Sequence, residues 1–183
     1  MAELRFDDKV VEVDRALSQA GIRHAFGGAI CLAYYAEPRA TIDIDVNVFV
    51  PEASAPAVLE AMSKLGMATG RAAADVARSG QCRLNWGPNP VDLFFANLEF
   101  HDAMARAARL VPYPPDVIPI LAPEHLMVCK ALFNRPKDWL DIEQMMICVE
   151  ELDTDEVRVW LDRIVGAHDP RLERFDRMAD ACM

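Results

Sequence analysis

The sequence predicts an α+β fold, a mixed β-sheet flanked by helices and followed by a helical C-terminal part. Two patterns carry that prediction. Up to residue 121, short β-branched or aromatic runs alternate with helical periodicities, and Gly or Pro punctuates the junctions. From Pro123 onward the strand signals cease and helical patterns follow one another. The expected division is therefore a core over residues 1–121 and a helical part over 122–183 packed on it.

The elements follow in order. Val10, Val13, Leu17 and Ala20 recur at helical spacing over 7–20, and Gly21 ends that helix. Ile22–Phe26 is a short strand stopped by Gly27 and Gly28, and a helix over Ala29–Ala36 runs up to the break at Pro38. Thr41–Val50 is β-branched and strand-like, ended by Pro51. Residues 54–65 are helical, while 66–80 are small and polar and carry no clear period. Cys82–Trp86 and Val91–Phe95 are strands flanking the turn Gly87-Pro88-Asn89-Pro90. A helix near 98–108 precedes a Pro-rich stretch of short strands over Leu110–Ile120. Helices near 123–133, 137–151 and 154–165 follow, with a terminal helix or frayed tail over 169–183.

Composition narrows the function classes. The chain is 52% hydrophobic, enough for a sizeable core in 183 residues. No apolar run approaches the roughly 20 residues that span a bilayer, and the charged N-terminus lacks a signal-peptide core. The expected compartment is the cytoplasm, with no membrane partner. Cys31, Cys82, Cys129, Cys148 and Cys182 are scattered, odd in number and never form C-x-x-C, which argues against a zinc site or a disulfide framework. They read mainly as small core residues, Cys31 beside the glycine pair included. His24, His101, His125 and His168 show no metal-ligand spacing. A net charge of −10 disfavours a dedicated nucleic-acid binder, and Arg71, Arg78, Arg83, Arg106 and Arg109 read as a solvated face.

The chemistry-bearing segment is Phe26-Gly27-Gly28 followed by Arg39-Ala40-Thr41-Ile42-Asp43-Ile44-Asp45. Adjacent glycines between strand and helix let backbone approach a phosphate, and a helix N-terminus offers N–H groups to that anion. Taken alone, the glycine pair is explained as well by turn chemistry. Asp43 and Asp45, two apart on a strand, project to one face, while Ile44 and Val46 point into the core. Two neighbouring carboxylates repel unless a cation lies between them, and hard oxygen ligands suit Mg²⁺. A strand end leaning into solvent is the competing explanation. Asp92 interrupts the otherwise apolar run Val91–Phe95, where an uncompensated charge is costly. Three convergent carboxylates would meet the needs of a two-metal phosphoryl-transfer site.

Gly-Gly, a spacer, Asp-x-Asp and a later lone Asp resemble the polymerase-β-like nucleotidyltransferase signature. The form GGAICLAYYAEPRATIDID, with Arg-x-Thr before Asp-x-Asp, resembles more specifically the AbiEii/AbiGii toxin-type nucleotidyltransferases. Pro123-Glu124-His125-Leu126, Lys130 and Arg135-Pro136-Lys137-Asp138 with Asp141 resemble that family's helical motif, so the likeness covers about residues 20–147. It implies a nucleotidyltransferase-like mixed sheet and an enzyme that moves a nucleoside monophosphate from a nucleoside triphosphate to an acceptor hydroxyl. It implies that Asp43, Asp45 and Asp92 are catalytic and hold two Mg²⁺ ions, with Mn²⁺ as a substitute. It places Gly27 and Gly28 around the triphosphate, and Arg39, Thr41, Lys130, Lys137 and Asp141 with them at the nucleotide. Many relatives carry Ser where this chain has Gly28, so that hydroxyl contact is absent here.

The residues themselves leave part of this open. On the 123–133 helix, Leu126, Cys129 and Phe133 mark an apolar face, and Lys130 borders it with its ammonium expected at a rim. Lys137 and Asp141, at i and i+4, fit an ordinary surface ion pair as well as a functional one. The acceptor also stays open. The toxin-type resemblance suggests tRNA or protein, with a cognate antitoxin as partner. Aminoglycoside and lincosamide transferases share Gly-Gly…Arg…Asp-x-Asp, and an acidic surface suits a cationic acceptor. A catalytically silent nucleotide- or partner-binding relative ranks last, because all three carboxylates are present.

Overall fold

The computed structural model describes residues 4–182. The chain forms two compact units, Met1–Ile30 with Ala40–Leu121, and Cys31–Arg39 with Ala122–Met183. The segment Cys31–Arg39, read in sequence as part of the front half, therefore belongs with the helical unit.

The first unit is built on a six-stranded sheet in the order β3-β4-β2-β1-β6-β5. Its strands are β1 (His24–Phe26), β2 (Ile44–Pro51), β3 (Gln81–Leu84), β4 (Val91–Ala96), β5 (Arg109–Tyr113) and β6 (Asp116–Ile120). β2 runs parallel to β4 and β1 parallel to β6, while the β1–β2, β3–β4 and β5–β6 pairs are antiparallel. The sheet is mixed, as expected, and the uncertain Pro-rich stretch closes as the β5–β6 hairpin. The inward residues of the central strands, Ile44, Val46, Val48, Val91 and Leu93, are fully excluded from water. α1 (Phe6–Gln19) buries Val10, Val13 and Leu17, the periodic positions of the sequence, and packs on β6 and on α3 (Ala55–Lys64). α4 (Ala72–Ser79) packs on β3, and α5 (Glu99–Ala107) on β2.

Several boundaries differ from the sequence reading, β1 starting at His24 and β3 ending at Leu84 among them, and three differences have a local cause. The helix expected over Ala29–Ala36 is confined to α2 (Gly28–Leu32). Beyond it Tyr34 and Tyr35 donate to carbonyls three residues back, Cys31 and Leu32, tightening the chain before Pro38 forces extension. β2 starts at Ile44 rather than Thr41, because the Thr41 hydroxyl takes the Asp43 N–H at 3.1 Å. Within 66–80 a helix does form. Its two buried residues, Ala72 and Val76, are too few to give a period, and Gly80 ends it at φ +67°.

The second unit is a cluster of α6 (Pro123–Phe133), α7 (Pro136–Cys148), α8 (Thr154–Val165) and α9 (Pro170–Cys182). α6 contacts the other three, which explains why it is buried nearly all round instead of along one face. Leu126 is buried as expected, yet Cys129 is only part-buried and Phe133 is about half exposed at 48%. Of the other cysteines, Cys31 and Cys82 are core residues and Cys148 is exposed. The Cys182 side chain lies outside the described residues. Asn134 closes α6 in the left-handed region, and its Oδ1 accepts from Trp139 Nε1 at 2.7 Å. Asp138, fully buried, reaches back to accept from the Arg135 backbone N–H at 3.1 Å and from its guanidinium at 2.7 and 3.0 Å. That is a capping arrangement at the α7 N-terminus. Among the described residues no helix is long and apolar enough to cross a membrane.

Burying α6 also buries its charges. The Lys130 ammonium, expected at a rim, is 4% exposed and donates to Asp141 Oδ2 at 2.6 Å. Arg39 Nε and Nη2 donate to the same carboxylate at 3.3 and 3.1 Å. Breaking such a pair strands a buried charge, at a cost of about 3–5 kcal/mol. Lys130→Met is expected to lower the urea unfolding midpoint accordingly. Adding Asp141→Leu should recover much of the loss, and equal midpoints for wild type and Lys130→Met would show that the pair is dispensable.

Candidate active site

The first unit gathers the three predicted carboxylates at one end of its sheet. Asp45 on β2 and Asp92 on β4 are register partners across the parallel pair, and Asp43 stands just before β2 begins. Side-chain exposure falls from 38% at Asp43 to 16% at Asp92, so the cluster is open to a ligand yet partly shielded.

Asp43 is held by its neighbours in sequence and by a distant turn. The Thr41 hydroxyl donates to the Asp43 carbonyl at 3.3 Å as well as taking its N–H. On either side, Asn89 Nδ2 donates to the Ile42 carbonyl at 3.2 Å and Ile44 N donates to the Pro90 carbonyl at 2.9 Å. The turn that makes these contacts is itself anchored by Lys9, whose buried ammonium donates to Asn89 Oδ1 at 2.9 Å and the Trp86 carbonyl at 3.0 Å. A helix-1 lysine thus fixes the backbone bracketing a catalytic candidate. Sequence gave no warning of it, since Lys9 occupies an ordinary polar position on an amphipathic pattern.

The glycine pair is fitted to Asp45. Gly27 N donates to the Asp45 carbonyl at 2.9 Å, so that N–H is engaged within the sheet and is not offered to an anion. Gly28 lies at φ +53°, and a Cβ there would overlap the Asp45 carboxylate. Both the backbone conformation and the space therefore require glycine. The serine of relatives at this position would collide with Asp45 as it is placed here.

The residue missed in sequence is Arg83. It faces Asp92 across the antiparallel β3–β4 pair. Its Nε and Nη2 grip the two Asp92 oxygens at 2.7 and 2.6 Å, a bidentate fork, and Nη2 also reaches Asp43 Oδ1 at 3.4 Å. Those hydrogen bonds to Asp92, and the charges of Asp92, Asp43 and Asp45, push the guanidinium pKa above its ordinary value. A signal was available. A hairpin closed around residues 85–90 pairs Leu84 with Val91, and hence Arg83 with Asp92. On the same strand Cys82 points the other way, and burial, followed by the charges of Asp75 and Asp92, pushes its thiol up to about 11.

The donor set suits a divalent cation in kind: three carboxylates, all hard oxygen, two of which, Asp43 and Asp92, already share one cation in Arg83. Among the described residues, however, no three carboxylate, imidazole or thiol groups are closed around one point as a ligand set. The remaining predicted residues lie in the second unit, apart from Thr41. Arg39 and Lys130 meet at Asp141, and Lys137 is exposed. Asp141 is paired with Lys130 and Arg39 rather than with Lys137.

Comparison with known proteins bears on the fold. No family model matches the chain, and no curated protein resembles it significantly. Solved structures do, among them two of one antibiotic-resistance factor. The antibiotic-resistance factor ANT(2'')-Ia in solution is similar at a TM-score of 0.59 and 12% identity, covering 94% of this chain and 99% of that one. The crystal structure of ANT(2'')-Ia with adenylyl-2''-tobramycin is similar at a TM-score of 0.52 and 10% identity, covering 96% and 95%. The chain has a nucleotidyltransferase-like fold, and the likeness runs over nearly its whole length.

Two measurements test this geometry. Lys9→Ala leaves Asn89 Oδ1 and the Trp86 carbonyl without their donor, and a loss of about 2–4 kcal/mol is expected in denaturant unfolding. A loss below about 0.5 kcal/mol, the surface-residue range, would remove the anchoring role. For Cys82, the folded thiol keeps its proton from the ordinary value of 9.0 up to about 11, while the unfolded thiol loses it. The folded state binds more protons in that window, so this contribution to stability is full below about 9 and declines as pH rises through about 11. Cys82→Ala should show a shallower decline there than wild type.

Proposed function

We propose that this protein is a metal-dependent nucleotidyltransferase, with Asp43, Asp45 and Asp92 as its catalytic carboxylates. The observation that carries the proposal is the register pairing of Asp45 with Asp92, with Asp43 beside them, on a nucleotidyltransferase-like sheet. Asp43 and Asp45 would hold the divalent cations and Asp92 the one nearest the acceptor, supplying neutralisation of the triphosphate and a lowered pKa for the attacking hydroxyl. The acceptor oxygen forms a bond to the α-phosphorus as the bond to the bridging oxygen breaks. Pyrophosphate leaves, and the hydroxyl proton passes to solvent or to Asp92. The protein's own contribution is placement. Thr41, Asn89 and the Pro90 carbonyl fix Asp43, Gly27 N–H holds the Asp45 carbonyl, and Gly28 leaves room for the Asp45 side chain.

The acceptor reading that gains support is a cationic small molecule of the aminoglycoside type. The net charge of −10 would draw such a molecule, and ANT(2'')-Ia was solved with an adenylylated tobramycin. The toxin-type reading, with tRNA or protein as acceptor and a cognate antitoxin, rests on the helical motif. Four of that motif's residues, Lys130, Arg135, Asp138 and Asp141, make contacts within the helical unit.

Titration of the four NTPs with and without Mg²⁺ is expected to show metal-dependent binding in wild type. Asp43→Ala or Asp45→Ala should lose that binding while keeping a native circular dichroism spectrum. Metal-independent binding in all three proteins would refute the metal role. Labelled nucleotide offered with an aminoglycoside panel or with tRNA then separates the acceptor classes, and transfer to tRNA alone would overturn the small-molecule reading.

A further inference from the structure

A carboxylate has about four lone-pair sites on its two oxygens, so a guanidinium fork does not exhaust them, but a metal ion on the same oxygens is repelled by the guanidinium already there. Asp92 has both oxygens in the fork of Arg83, at 2.6 and 2.7 Å, and the same guanidinium extends to Asp43. Arg83 is 57% exposed, on the outward face of β3, so its side chain has open solvent into which to withdraw. Asp92, at 16%, has no such freedom and stays where β4 puts it. The two partners are thus unequal: the base of the site is fixed and its cation is on a long flexible arm.

We propose that Arg83 is the resident counter-cation of the carboxylate cluster, and that a divalent metal enters by exchange with it. This rests on the metal-binding reading of Asp43, Asp45 and Asp92 above. In the absence of metal, the guanidinium relieves repulsion among the three carboxylates and keeps Asp92 oriented. A divalent ion carries twice its charge on a smaller radius, and displaces it from Asp92 and Asp43 by competing for the same oxygens. Arg83 is then a positioning residue that sets metal affinity, and the exchange costs affinity. An exposed pair with good bidentate geometry sits at the top of the range for such pairs, about 1 kcal/mol, so the cost is about fivefold in the metal dissociation constant.

The test uses Mn²⁺ alone, followed by calorimetry and by the loss of the free-ion electron paramagnetic resonance signal. Wild type, Arg83→Gln, Arg83→Lys and Asp45→Asn are compared, with melting temperatures taken in EDTA and in Mn²⁺. Arg83→Gln is expected to bind Mn²⁺ about fivefold more tightly than wild type, with Arg83→Lys between them. In EDTA, Arg83→Gln should melt below wild type, and Mn²⁺ should close the gap. Asp45→Asn should lose the binding. Equal or weaker Mn²⁺ binding by Arg83→Gln, in a chain that wild type shows can bind the ion, would overturn the exchange while leaving the metal site standing. Absence of Mn²⁺ binding in both wild type and Arg83→Gln would overturn the metal reading itself, and the exchange with it.

Discussion

Three carboxylates at one end of a sheet repel one another, and the first unit is arranged around that repulsion. Like charges on adjacent strands destabilise a sheet, so the cluster exists only because something positive stands against it. At Asp92 and Asp43 it is Arg83, placed opposite Asp92 by the register of β3 and β4. The parallel pairing of β2 with β4 does the complementary task of setting Asp45 beside Asp92. Neither strand could shift by one residue without turning its carboxylate into the core, since side chains alternate faces. The fully buried Ile44, Val46, Val91 and Leu93 on the other face therefore fix the acidic face as firmly as any polar contact does.

Around this cluster the glycines and polar side chains serve placement more than charge. Gly28 is required by the Asp45 carboxylate lying over it, and Gly27 spends its N–H on the Asp45 backbone. With α2 only Gly28–Leu32 long, little of a helix dipole is available at this end. The pair is thus better understood as a mount for Asp45, with Gly28 making room for its carboxylate and Gly27 bonding its carbonyl, than as a prepared anion cradle. The Lys9–Asn89 chain shows the same economy. A buried ammonium that donates to Asn89 and the Trp86 carbonyl holds a turn, and the turn holds the backbone on both sides of Asp43.

The helical unit spends its charged residues differently. Arg39 and Lys130 converge on Asp141, and Arg135 closes on Asp138, so a motif that reads as nucleotide chemistry also forms the polar interior of a helix cluster. Buried pairs of this kind add little net stability relative to apolar packing. They do make the arrangement specific, because each partner is costly to leave alone. A lysine on a buried central helix needs a carboxylate of its own.

The fold class and the order of the elements apart from α4 were legible in the sequence, as were the three carboxylates that the sheet gathers at one end. Periodicity shows which face of a segment is apolar, and Asp92 in Val91–Phe95 contradicts its own neighbourhood strongly enough to be noticed. Element ends were less legible, because a hydroxyl at Thr41 or a proline at position 38 acts over single residues that periodicity averages away. Partnership between distant segments was beyond reach. That Lys130 belongs to Asp141 and that Lys9 anchors Asn89 depend on which segments meet, whereas the Arg83–Asp92 pair lies within one hairpin whose turn the sequence signals. Sequence determined which side chains carry charge and which faces are apolar, since those are properties of residues and their spacing. Only the tertiary structure decided which charges neutralise which, because that follows from strand register and helix packing between segments far apart in the chain.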